Sequence, residues 1–183
     1  MFFAHDTEVA LTAAASLVNT RRGGQERLAD QAALEAWLEE NRFSGSREHD
    51  DAEVAAVRRV RERIRAVWEA PDRDAAAEAT NELLRRTAST PWLTRHDDWD
   101  WHIHASAPSD PLAHRIGAEA AMGLVDLVRT DDLERLRTCS GEDCDAVLVD
   151  LSRNRSRRYC DTGNCGNRAH VAAYRARRAA AGD

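Results

Sequence analysis

The sequence predicts a mainly α protein in two parts. An N-terminal helical domain with a small β-hairpin covers about residues 1–132, and a compact C-terminal module held by its cysteines covers about 133–183. Three observations predict this. Apolar residues recur every three or four positions through most of the first part, which is the helical period. All five Trp (Trp37, Trp68, Trp92, Trp99 and Trp101) precede residue 102, so the aromatic core belongs to the N-terminal part. All four cysteines (Cys139, Cys144, Cys160 and Cys165) fall within the stretch from Arg137 to Arg168.

The helices follow in order. Over residues 6–22, Val9, Ala13, Leu17 and Val18 recur at helical spacing until Gly23-Gly24 breaks the pattern. Asp30 is a natural N-cap for a second helix whose stripe is Leu34, Trp37 and Leu38, before the loop FSGS. The third helix is the clearest: after Asp50-Asp51, the residues Val54, Val57, Val60, Ile64, Val67 and Trp68 recur at helical spacing, and Pro71 follows its end. A fourth runs from Asp72 to Thr87 with Leu83 and Leu84, and Ser89-Thr90-Pro91 ends it.

The period then changes to two. Trp99, Trp101 and Ile103 alternate with Asp98, Asp100, His102 and His104, which predicts the second arm of a hairpin that starts at Trp92. The expected arrangement puts the aromatic set inward and the polar set outward. The same spacing gives Asp100, His102 and His104 one face, where His-x-His can chelate a metal, although no further ligands are identifiable. Asp110-Pro111 starts a long helix through Leu112, Ile116, Ala120, Leu124, Leu127 and Val128 to about Arg129.

In the module, the spacing Cys-x4-Cys-x15-Cys-x4-Cys brings two short-looped pairs to one point across a hairpin-sized insert. Four thiolates so arranged suit a structural zinc ion, with iron–sulfur the minor competitor for the same set. Zinc closed by four protein ligands has no open position for catalysis. Cys139 and Cys144 form a knuckle, DAVLVDLS supplies a strand expected to return through RRYC, and Cys165 opens a helix. The result is a treble-clef-like or zinc-ribbon-like unit with little apolar core, so the metal supplies most of its folding free energy, on the order of 10–16 kcal/mol.

The formal charge of −6 is unevenly distributed: residues 153–183 carry +6 and the remainder −12. An acidic body with a basic end suggests that only the module meets a polyanion. The run Arg153, Arg155, Arg157 and Arg158 lies between zinc ligands, and Arg168, Arg175, Arg177 and Arg178 lie on the adjoining helix. Held side by side they form a phosphate-tracking surface, with bidentate Arg able to grip phosphate or guanine. The bland alternatives are a solvated charged face, or Arg that neutralise the −2 of a four-thiolate zinc. Asn154 and Asn167 can read adenine edges or serve as turn formers and caps. Arg168 can face nucleic acid, a thiolate or the acidic body.

The run RLRTC…C…SRNRSRRYC…CGNRA resembles the CGNR zinc-finger family, whose tetrad stands here as Cys165, Gly166, Asn167 and Arg168. Upstream, LVNT at Leu17–Thr20 and LADQAALEAWL at Leu28–Leu38 resemble the ABATE domain usually fused to that finger. The resemblance implies a bacterial, stress-linked transcription regulator whose finger binds DNA and whose four cysteines hold zinc. Where the family often carries Lys this chain has His170, which removes a fixed charge near the start of the helix.

The expectation is therefore a cytosolic DNA-binding regulator, a homodimer through its helical domain, with double-stranded DNA as partner and a small-molecule effector on the helical domain. The alternative is a zinc-stabilised protein-interaction or small-ligand-binding protein that never touches nucleic acid. RNA ranks below DNA because the module offers only Tyr159 and Tyr174 for stacking. A leader or spanning segment is not evident. No Gly-rich phosphate loop, Gly-x-Ser-x-Gly elbow or His-Glu-x-x-His motif occurs, so an enzyme is not expected.

Overall fold

The structure is a computed structural model and describes residues 3–87, 90–95 and 100–180. In chain order it contains α1 (His5–Val18), β1 (Arg21–Arg22), β2 (Gln25–Glu26), α2 (Gln31–Glu40), α3 (Asp51–Trp68), α4 (Arg73–Thr87), β3 (Trp92–Thr94), β4 (His102–His104) and α5 (Leu112–Thr130). A 3-10 turn (Leu133–Arg135) leads into β5 (Leu136–Thr138), β6 (Val147–Val149) and α6 (Cys165–Ala180). The strands form three antiparallel pairs, β1–β2, β3–β4 and β5–β6. The protein is thus mainly helical with small hairpins, as its sequence predicts.

Helix starts follow from their caps. The Asp30 carboxylate accepts from the Ala33 amide (2.9 Å), Asp50 from Glu53 (2.8 Å) and Asp72 from Ala75 (2.8 Å). Each pairing satisfies an amide that the first helical turn leaves without a partner. The α3 stripe Val54, Val57, Val60, Ile64 and Val67 is buried as its spacing requires, and each such side chain contributes about 1.5–3 kcal/mol of apolar burial. Helix α5 is central and packs on α1, α3 and α4. Its glycines permit close approach, since a Cβ at Gly117 would stand 2.5 Å from Thr87 Cγ2.

Helix α1 ends at Val18, four residues before its expected end, because Arg21-Arg22 pair with Gln25-Glu26 around Gly23-Gly24. That turn delivers Glu26 to Arg61, a guanidinium only 2% exposed that donates to both Glu26 oxygens at 2.7 Å and to Thr20 Oγ1 at 3.0 Å. A cation so deep is tolerated because it is paired and hydrogen-bonded.

The expected faces of the β3–β4 hairpin are inverted. His102 is buried, whereas Trp101 and Ile103 are 63% and 45% exposed. Alternation distinguishes two faces of a strand without telling which meets the core. Here His102 is held by its partners, its Nδ1 lying 2.7 Å from the Asp100 carbonyl and its Nε2 3.0 Å from His104 Nε2. The expected roles of Asp98 and Trp99 lie outside the described residues.

A second correction concerns the module. Strand β6 does not return through RRYC. It pairs with β5, which precedes the first cysteine, in the register Leu136↔Val149, Arg137↔Leu148 and Thr138↔Val147. The segment before Cys160 is instead an irregular loop. Val147 and Val149 are buried in the helical core, whereas Leu148 packs with Cys139, Cys160 and Cys165. One short strand therefore serves both halves. No helix among the described residues is long and apolar enough to cross a membrane.

Candidate metal centre and basic surface

The four cysteines arrive from three directions. Cys139 follows β5, and its amide donates to the Ala146 carbonyl (2.8 Å) to close the hairpin. Cys144 turns back through its amide to the Gly141 carbonyl (3.3 Å), Cys160 ends the arginine-rich loop, and Cys165 begins α6. All four Sγ atoms lie within 4.8 Å of one another, with Cys144–Cys160 and Cys160–Cys165 both at 3.8 Å. A tetrahedron with zinc–sulfur bonds of about 2.3 Å has edges of about 3.8 Å, so the donor set fits zinc. The same separations are far too long for a disulfide.

The surroundings suit a bound dication. Burial pushes the Cys144 thiol up to about 12 and raises Cys139 as well. Burial also acts upward on Cys160, but hydrogen bonds from Thr162 and the neighbouring cysteines outweigh it and bring that thiol to about 7. Four thiolates this close are held together only with a cation among them. Donors surround the sulfurs: the Gly141 and Cys160 amides point at Cys139 Sγ (3.4 and 3.3 Å), and Arg168 Nη2 donates to Cys165 Sγ at 3.1 Å. Such contacts orient ligands and offset the negative charge of the site. Among the alternatives open to Arg168, the structure shows the thiolate. Gly141 is required by space, because a Cβ there would lie 2.8 Å from Cys165 Sγ. The cysteines, with Zn2+ as cofactor, form a closed structural centre.

Around this centre the arginines divide into two groups. Asp150, fully buried, organises the loop by accepting from the Ser152 amide (3.0 Å), Ser152 Oγ (2.5 Å) and the Arg157 amide (2.9 Å), with Arg137 Nη1 at 3.2 Å. Burial works to raise the Asp150 carboxyl, but these hydrogen bonds and Arg137 prevail and hold it below the usual range. Arg155 has a left-handed backbone and reaches down to Asp132 (2.5 Å) and Glu134. Arg157 pairs with Asp161. The guanidinium groups of Arg153, Arg158, Arg175, Arg177 and Arg178 are exposed and form no hydrogen bond or ion pair among the described residues.

Asn154, Asn167 and His170 are also exposed. Asn167 and His170 line one cleft with Arg158, Tyr159, Asn164 and Gly166. Asp100 is not brought into a metal site: its carboxylate takes the Trp101 amide (2.8 Å), and among the described residues the cysteines are the one group of three or more candidate ligands placed together.

Spacing alone did not expose several residues that join the halves. The Asn19 side chain binds the Val147 backbone, Gly23 N donates to Asp145 (2.8 Å), and Trp68 Nε1 donates to the Leu148 carbonyl (3.3 Å). Arg135, 4% exposed, places its guanidinium 5.5 Å from the Phe3 ring centre while donating to the Asp150 carbonyl at 2.7 Å. The only sequence signal for Asn19 was its place in the LVNT run.

A closed four-thiolate centre carrying a basic helix, built onto a helical body, defines a zinc-finger protein. The match of family models is specific: ABATE, described as "Putative stress-induced transcription regulator", covers residues 11–131, and the CGNR zinc finger covers 135–178. The chain belongs to the ABATE family and carries a CGNR zinc finger at its C-terminal end. No curated protein matches it.

Proposed function

We propose that the protein is a DNA-binding transcription regulator whose zinc module meets double-stranded DNA and whose helical domain carries dimerisation and effector sensing. The observation that carries this reading is the division of the arginines. Arg155, Arg157 and Arg168 are engaged by groups of the protein itself, while the guanidinium groups of Arg153, Arg158, Arg175, Arg177 and Arg178 stand exposed and, among the described residues, unpaired on one small module. An acidic body repels nucleic acid, so the module is the part that phosphates approach. Zinc is structural here, and the reading assigns no catalytic step.

Dimerisation has its own support. Among the described residues, the exposed large apolar side chains are confined to α6 and to the β3–β4 hairpin, where Trp92, Leu93, Trp101 and Ile103 are 39–65% exposed. A patch of this kind on the helical domain fits a second copy of the chain. Two modules presented by one dimer would provide the contact area that a single small module lacks.

The experiment is a salt series of duplex-DNA binding by the zinc-loaded protein and by an Arg153/Arg158/Arg175/Arg177→Ala variant whose zinc content is checked. Each phosphate neutralised adds about 0.9 to the log–log slope, so the wild type should fall steeply with salt and the variant should flatten by roughly 3–4 units. A zinc-loaded wild type that binds no duplex at low salt sinks the reading, and the protein-interaction alternative takes its place.

A further inference from the structure

Helix α6 is hardly buried at all. Cys165 is its one buried residue, and every position from Val171 to Ala180 is exposed. A surface helix ordinarily lays an apolar stripe on the core. This one is fixed at its first residue by the metal centre, and from His170 onward its surface faces solvent. Its 16 residues correspond to about 24 Å of rod.

The helix is also sorted by face. At 3.6 residues per turn, the alanines at 169, 172, 173, 176, 179 and 180 fall on the side of Cys165. The opposite side carries Asn167, His170, Val171, Tyr174 and Arg178, which follow one another at i, i+3, i+4, i+7 and i+11. Arg175 and Arg177 flank that stripe, one on each side. No Asp or Glu occurs between Cys165 and Ala180. At its N-terminal end the stripe enters the cleft that also contains Arg158.

From this geometry we infer that α6 is a recognition helix that lies in the major groove of B-form DNA. The stripe from Asn167 to Arg178 faces base edges, and Arg175, Arg177 and Arg158 contact phosphates along the groove walls. This rests on the DNA-binding reading above. The chemistry agrees at three of the five positions: the Asn167 amide pairs with adenine N6 and N7, the Arg178 guanidinium with guanine O6 and N7, and the Val171 side chain with the thymine methyl. A groove about 12 Å wide admits a helix, whereas the minor groove at about 6 Å does not. The narrow major groove of A-form RNA excludes the helix as well, which separates DNA from double-stranded RNA as the partner.

The test begins with a duplex selected from a random pool by the full-length, zinc-loaded protein. That sequence is then remade with 7-deazapurines, which remove the N7 acceptors of the major groove, or with inosine for guanine, which removes the minor-groove amine. The expected result is a loss of affinity of about tenfold or more for the 7-deaza duplex, little change for the inosine duplex, and weak binding to the matching RNA duplex. In parallel, Asn167→Ala/Tyr174→Ala should flatten the preference for the selected sequence, while Arg175→Ala/Arg177→Ala should weaken all duplexes alike. Equal binding of the 7-deaza and natural duplexes, or a pool that yields no preferred sequence, overturns the groove assignment and leaves DNA binding standing. Absence of binding to any duplex overturns both. Because the substituted side chains are exposed and Ala favours helix, zinc content and helicity should match the wild type.

Discussion

Asn19 and Val147 are joined by a two-way amide bridge: Asn19 Nδ2 donates to the Val147 carbonyl and the Val147 amide donates to Asn19 Oδ1, each at 2.8 Å. The bridge spans 128 residues of sequence and fastens the end of α1 to β6, the strand beside the metal centre. Backbone groups of a strand edge that would otherwise lack partners are satisfied by a single side chain.

Replacing that side chain should loosen the junction. Asn19→Ala leaves both Val147 backbone groups without a partner and should cost about 2 kcal/mol in urea unfolding. Asn19→Asp should cost a similar amount, because it puts a carboxylate oxygen against the Val147 carbonyl. A variant as stable as the wild type would show that water replaces the bridge without loss.

The Glu26–Arg61 pair predicts a dependence on pH. The two hydrogen bonds from Arg61 hold Glu26 below the usual carboxylate range, against partial burial that acts in the opposite direction. The folded value lies below the unfolded one, so the contribution is complete above about pH 4.3 and is lost as pH falls through the folded value. Glu26→Gln should therefore cost about 2 kcal/mol at neutral pH, with Glu62 at 3.1 Å still supporting Arg61. The gap between variant and wild type should narrow below about pH 4, as read from denaturant midpoints.

Space at the metal centre sets the third prediction. Gly141→Ala places a methyl group 2.8 Å from both Cβ and Sγ of Cys165. The cysteines must spread to admit it, and zinc affinity measured by chelator competition should fall by about tenfold or more. Unchanged affinity would mean that the knuckle relaxes freely.

Arg155 tests the division of the arginines. Because it is tied to Asp132 and Glu134, Arg155→Ala should destabilise the loop by about 1 kcal/mol without lowering the salt slope of DNA binding. A slope reduced by about one unit with unchanged stability would identify Arg155 as a phosphate contact.

Zinc removal should act locally first. Chelation should abolish the helical signal of α6, whose one buried residue is Cys165, while α1 to α5 keep slow amide exchange because their core includes no cysteine. Full retention of α6 after chelation would overturn the view that the metal holds it.

The sequence made the helices and the zinc ligands legible for related reasons. Helical period is a local signal, and the α3 stripe from Val54 to Val67 could be read residue by residue. The cysteines announced themselves by type and spacing. What stayed hidden depended on distant partners. Nothing local tells that Arg155 will meet Asp132 and Glu134, or that Asp150 will gather the loop around one buried carboxylate, so the sequence does not separate Arg155 and Arg157 from Arg153 and Arg158. Alternation along β4 indicated two faces, but the buried face belongs to His102 because its ring finds His104 and a carbonyl. The pairing of β6 with β5 is hidden in the sequence because the residues before Cys139 carry no strand signal beyond Leu136 and Thr138.

Neighbouring residues of β6 belong to different cores: Val147 and Val149 to the helices, Leu148 to the cysteines. This constrains the chain's descent. A finger separated from its body would expose two valines, and a body without its finger would keep a slot shaped for them. Substitutions on either side of the strand must therefore drift in concert, and recombination between distant relatives should succeed when a helical body is inherited with its own finger.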